Sequence, residues 1–130
     1  VVALSSKRDA LNSRAEALKL RIKQEGIELV TTQAVLLEIA TALRFARYRT
    51  LAVAFIEEFQ RSSSVVCLTA DLLNESWEMY KRHTDKEWSW VDTISFVVMR
   101  REGMTEALTS DHHFTQAGFR ARGEDTVLQS

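Results

Sequence analysis

Proline is absent from all 130 residues, glycine appears four times and cysteine once. With no proline and no low-complexity stretch there is no linker-like boundary, and the chain is expected to form one domain over residues 1–121 with a flexible tail at 122–130. The lone Cys67 excludes an internal disulfide and a cysteine-based zinc cage, and it suits a reducing compartment. Its apolar neighbours predict a buried strand residue. No run approaches the roughly 20 apolar residues of a membrane-spanning helix, and no signal peptide is visible, so a cytoplasmic location is expected. A Gly-rich phosphate loop is lacking too. Charge of one sign is also scarce, with 17 Lys and Arg against 18 Asp and Glu for a net charge of −1. A nucleic-acid role therefore cannot rest on overall charge and needs a local patch. There is no initiator Met, and the chain opens on Val1-Val2-Ala3-Leu4 as if cut inside a hydrophobic element.

What is present is enough for a core, with 45% hydrophobic and 27% charged residues. The most informative stretch runs from Asp85 to Phe114. Ser89 precedes Asp92 by three residues and stands just ahead of Val91, Ile94, Val97 and Val98, the pattern of a capped helix entry. The helix is expected to start near Trp90. Phe96 and Met99 place apolar groups on its other sides, as in a helix buried against a sheet, until Arg100, Arg101 and Glu102 return it to water and Gly103 ends it. Ala107-Leu108-Thr109 then reads as a short strand, with Asp111 at its carboxyl end.

Along the rest of the chain the spacing predicts a helix over about 9–24, stopped by Gly26, and a strand at about 27–30. A helix capped by Thr31 or Thr32 runs to about Tyr48, and another spans about 50–60 with the apolar face Leu51, Ala54, Phe55 and Phe59. A loop at 62–64 leads to a strand at about 65–68, and Thr69 or Asp71 caps a helix reaching about His83. None of these strands alternates polar with apolar residues. That marks a parallel sheet covered on both faces, a three-layer α/β/α fold.

In such a sheet ligands bind at the carboxyl ends of the strands. Glu38 lies shortly past one strand end, Asp111 at another, and Asp92 opens a crossover helix beside the same edge. Neither Glu38 nor Asp92 has a Lys or Arg three or four residues away to pair with. The plainer alternatives are a helix-face acid for Glu38, a cap for Asp92 and a turn residue for Asp111. If the three converge, two like charges about 4 Å apart repel by roughly 4 kcal/mol at an effective dielectric near 20, so a cation or a proton is needed. All-oxygen ligands favour Mg²⁺ or Mn²⁺, an ion suited to hydrolysis of a phosphodiester. His112 and His113 could be ligands, but adjacent side chains usually point apart, so a structural role in the turn is expected for them.

Three segments together resemble the PIN-domain nucleases, and in particular the VapC-type toxins of toxin–antitoxin systems. They are Thr31-Thr32-x-Ala34-Val35-Leu36-x-Glu38, then Asp85-Lys86-x-Trp88-Ser89-x-x-Asp92-x-x-Ser95-Phe96, then Ala107-Leu108-Thr109-x-Asp111-x-His113-Phe114-x-Gln116-Ala117-Gly118-Phe119. The resemblance implies a PIN-like fold and a Mg²⁺- or Mn²⁺-dependent endoribonuclease that acts on RNA, forms a homodimer and is inhibited by an antitoxin. It implies that Glu38, Asp92 and Asp111 are catalytic metal ligands, with Asp85 a further acid of the site. The front of the chain departs from the pattern. Family members begin with a strand ending in Asp-Thr-Ser, whereas Val1-Val2-Ala3-Leu4-Ser5 resembles the helix that follows it, so the N-terminal strand and its acid are expected to be missing and Asp9 is no substitute. The alternatives are a non-catalytic PIN-like module that binds RNA or an antitoxin helix through the 51–59 face, and, more remotely, a receiver-like phosphoacceptor domain. Arg44, Arg47 and Arg101 are candidate phosphate contacts, although cations on solvated helix faces are the commoner reading.

Overall fold

A computed structural model of the chain describes residues 2–4, 29–62, 64–108 and 112–122. Five strands form one parallel sheet: β1 (Val2–Leu4), β2 (Leu29–Thr32), β3 (Ser64–Val66), β4 (Glu106–Leu108) and β5 (Arg120–Arg122). Their spatial order is β3-β2-β1-β4-β5. Five described helices accompany them: α1 (Gln33–Ala42), α2 (Ala46–Ser62), α3 (Ala70–Arg82), α4 (Trp90–Arg101) and α5 (His112–Gln116). The chain builds outward from β1 through β2 to β3, then crosses back to β4 on the other side of β1. Between β1 and β4 the direction of building reverses, and at such a point the strand ends diverge into a crevice.

β2 shows why the sheet is sandwiched. Leu29 packs into a cluster with Val35, Leu36, Ile39, Leu43, Ala52 and Phe59 from α1 and α2, while Val30 joins a larger cluster built on α3, α4, β4 and α5. Successive strand side chains point to opposite faces, so burial of both requires cover on both sides. The three-layer α/β/α arrangement follows.

Local signals set most helix starts. Thr32 and Thr69 accept hydrogen bonds from the backbone N–H groups of Val35 and Leu72, each at 3.2 Å, and so cap α1 and α3. Gly103 leaves α4 at φ 67°, a left-handed conformation that glycine adopts without steric cost. The helix expected to reach Tyr48 instead breaks after Ala42. Leu43, fully buried, is drawn into the core, and Arg44 donates from its guanidinium to the Thr41 carbonyl while its own carbonyl accepts from Arg49 Nε at 3.1 Å. Packing of one leucine thus overrides a continuous helical pattern.

Three further differences have physical causes. Val2–Leu4 is the central strand, where the resemblance predicts a helix opening and a missing strand: Val2 and Ala3 pair with Leu29 and Val30, and Ala3 and Leu4 with Ala107 and Leu108. Hydrogen bonding on both sides satisfies its backbone, and a helix there would leave the facing edges of β2 and β4 unpaired. β3 ends at Val66, and Cys67 is exposed rather than buried in a strand. Gln33 Oε1 accepts the Leu68 N–H at 2.8 Å and ties the departing chain to α1. Finally, Arg120–Arg122 adds an unexpected strand that pairs with β4 at the border of the sheet. The expected helix over about 9–24 lies outside the described residues, as does the expected tail at 122–130 apart from Arg122, which belongs to β5.

Thr31 on β2 is 2% exposed, and its Oγ1 has no hydrogen-bond partner among the described residues. A buried hydroxyl without a partner costs free energy that a methyl of similar size does not. Thr31→Val is therefore expected to raise stability by about 1 kcal/mol, read as a higher urea midpoint at unchanged slope.

Candidate active site

Asp92 sits in the first turn of α4, and its backbone and side chain both serve the helix start. Its N–H donates to Ser89 Oγ at 3.0 Å, and its Oδ2 accepts the Ser89 N–H at 3.0 Å. This reciprocal box satisfies donors that a helix N-terminus leaves open, and the positive end of the helix dipole favours the charged carboxylate. The same Oδ2 lies 3.0 Å from Nδ1 of His113 on α5. An ionised carboxylate only accepts, so the ring nitrogen donates. Both side chains are largely buried, at 17% and 16% exposed. Two donors on Oδ2 fix the plane of the carboxylate, while Oδ1 accepts no hydrogen bond among the described residues.

Aromatic packing holds α5 against α4. Phe96, fully buried, meets Trp88 edge-on at 5.0 Å and Phe114 edge-on at 4.9 Å between ring centroids. Trp88 Nε1 donates to Gln116 Oε1 at 3.1 Å, so both ends of this short helix are anchored. The His113–Asp92 contact therefore joins two elements whose separation is set by a dry ring cluster.

The other sequence candidates fall differently. Glu38 is half-buried on α1, which follows β2 directly and so stands at the carboxyl edge of the sheet. Asp111 lies outside the described residues, between β4 and α5. Asp85 is 69% exposed and pairs with Lys86 at 3.2 Å. The Lys86 ammonium, through that hydrogen bond, holds its carboxyl below the usual carboxylate range. Among the described residues no three His, Cys, Asp or Glu side chains are grouped to hold a metal ion. Glu38, Asp92 and Asp85 thus make no cage by themselves. The arginines are engaged within the fold: Arg44 with the Thr41 carbonyl, Arg47 over the Tyr48 ring at 4.7 Å, and Arg101 with Glu75. His113, expected to serve only the turn, is the residue that sequence reasoning undervalued. Its signal was the spacing Asp111-x-His113-Phe114, since a buried Phe114 one residue on fixes which way His113 can face.

The PIN domain model matches residues 5–120, nearly the whole chain. The chain belongs to the PIN-domain family. The 23S rRNA-specific endonuclease VapC20 of Mycobacterium tuberculosis, from strains CDC 1551 and H37Rv alike, is 46% identical to this PIN domain over 52 residues, which is 40% of the chain and 40% of the length of each relative. The crystal structure of M. tuberculosis VapC20, described as a Sarcin-Ricin loop cleaving toxin, superposes with a TM-score of 0.78 at 30% identity, covering 92% of this PIN domain and 96% of that chain. DNA bound VapBC from Salmonella typhimurium superposes with a TM-score of 0.69 at 12% identity, over 94% of this chain and 96% of that one. At that identity the likeness is one of fold. No helix among the described residues is long and apolar enough to cross a membrane.

Proposed function

We propose that this PIN domain is a divalent-metal-dependent endoribonuclease that hydrolyses RNA phosphodiesters, and that it acts as the toxin of a toxin–antitoxin pair. The observation that carries the reading is Asp92, oriented at the α4 N-terminus by Ser89 and His113 within a chain similar to an RNA-cleaving toxin over most of its length. Its donor set fits a hard cation, because the candidate ligands Asp92, Glu38 and Asp111 offer only carboxylate oxygens. Asp85 is the weakest of the four candidates, being exposed and already paired with Lys86.

A Mg²⁺ or Mn²⁺ ion held by Asp92, Glu38 and Asp111 would supply Lewis acidity for attack of water on the phosphodiester. The chain's own residues do the rest. Ser89 and His113 hold Asp92 Oδ2, which leaves Oδ1 for the ligand side. Trp88, Phe96 and Phe114 keep that geometry by excluding water from behind it. An antitoxin peptide, a second copy of the chain and a cytoplasmic setting complete the proposal. Leu37, Phe45, Leu51 and Val53, exposed on α1, α2 and the turn between them, are the apolar groups that protein partners would cover. The same exposed side chains favour, as a second reading, a module that binds without cleaving.

Incubation with single-stranded RNA separates the two. Cleavage is expected with Mn²⁺ or Mg²⁺, is abolished by excess chelator and returns when the ion is restored. Binding of RNA or of an antitoxin peptide with no cleavage under any metal would favour the module. Cleavage that persists in excess chelator would sink the metal assignment.

A further inference from the structure

Trp77 and Tyr80 on the outer face of α3 and Trp90 at the first residue of α4 are 40%, 41% and 40% exposed. The Trp77 and Tyr80 rings stack with centroids 5.3 Å apart and planes 15° from parallel, and Trp77 tilts against Trp90 at 4.9 Å. Trp90 Nε1 donates to the fully buried Ser76 Oγ at 3.0 Å. That bond occupies the polar edge of the indole and fixes its plane. The three adjacent aromatic residues each keep about two fifths of their surface in solvent.

Trp90 precedes Asp92 by two residues on one helix. At that spacing the two side chains stand about 160° apart around the axis and about 3 Å apart along it, on opposite sides of one helix end. The gap between them is of the order of 10 Å, about two or three nucleotides of a single strand. On the nuclease reading above, a strand with its scissile phosphate at Asp92 would carry flanking bases past these rings. We propose that Trp77, Tyr80 and Trp90 form a stacking platform for unpaired bases of the RNA substrate.

Three observations favour a nucleobase over a protein side chain as the occupant. The patch is purely aromatic, and a near-parallel ring pair can be extended by another flat ring. The exposed aliphatic groups Leu37, Leu51 and Val53 are on α1 and α2 instead. Two cations of α3 and α4 are already paired, Lys81 with Glu78 and Arg101 with Glu75, so the platform is expected to contribute more by stacking than by phosphate charge. Its share of the affinity is therefore expected to change little with salt.

The double variant Trp77→Leu, Tyr80→Leu keeps apolar area and removes two ring faces. Both side chains are exposed, and an unchanged thermal midpoint verifies the fold. Anisotropy of a fluorescent single-stranded RNA without added metal reads affinity, and cleavage of the same RNA with Mn²⁺ is followed in parallel. The variant is expected to bind on the order of tenfold more weakly, by the same factor at low and high salt, and to equal the unaltered chain on an oligomer of abasic ribose phosphates. Equal affinity for base-bearing RNA, in a preparation whose unaltered chain cleaves it, would overturn the platform and leave the nuclease reading standing. An unaltered chain that neither binds nor cleaves RNA overturns both. Loss of self-association or of antitoxin capture with RNA affinity unchanged would make the patch a protein interface, which also overturns the proposal.

Discussion

Asp92→Asn is expected to lower RNA cleavage by at least about a hundredfold, the equivalent of roughly 3 kcal/mol of transition-state stabilisation, with little change in thermal midpoint. The substitution removes one negative charge and almost no volume. An asparagine carbonyl still accepts the Ser89 N–H, and asparagine is a good residue at helix starts, so the cap on α4 survives. What is lost is the anionic oxygen that the proposed metal-dependent reaction requires, and α4 carries no other acid to supply it. Asp92→Ala gives the contrast, because it loses the same charge and the reciprocal cap together, adding about 1 kcal/mol of destabilisation. His113→Ala removes a donor to the acid but not the acid, and a loss of the order of tenfold is expected. If His113 acts through Asp92, the double variant His113→Ala, Asp92→Asn is no slower than Asp92→Asn alone. Full cleavage by Asp92→Asn would remove this acid from the mechanism.

Phe96→Ala carries the largest expected effect on stability, a loss of about 3–5 kcal/mol. The ring is fully buried and meets Trp88 and Phe114 edge-on, with Phe119 5.8 Å away. Deleting it forfeits the transfer free energy, leaves a cavity and breaks two edge-to-face pairs, each worth about 0.5–1.5 kcal/mol. Against a typical total of about 5–15 kcal/mol, such a loss leaves many domains partly unfolded at body temperature. The consequence reaches the site, since Phe114 seats α5 and α5 carries His113. Urea denaturation followed by tryptophan fluorescence measures the cost, with Phe96→Leu as the milder comparison. A cost below about 1 kcal/mol would mean that the ring cluster does not set the spacing of α4 and α5.

Legibility of the fold followed the range of the forces involved. Ser89-x-x-Asp92 is readable because a capping box is settled within four residues, and Thr32 and Thr69 are readable for the same reason. The parallel, doubly covered sheet is readable from apolar strands without alternation. The candidate acids are readable as types at strand and helix ends. The pairing of Asp92 with His113 spans 21 residues, and nothing local specifies it. It exists because Phe96 and Phe114 pack, and packing is a property of the assembled core.

The sequence by itself determined where α1, α3 and α4 begin, where Gly103 ends one, and that the strands must lie between two helical layers, because backbone capping, glycine conformation and hydrophobic patterning act on neighbours along the chain. Only the tertiary structure decided that Val2–Leu4 is the central strand, that Arg120–Arg122 closes an edge, that α1 stops at Ala42, and that His113 holds the carboxylate of Asp92. Each of these is won by a partner distant in sequence, whose burial or hydrogen bond outweighs the local preference.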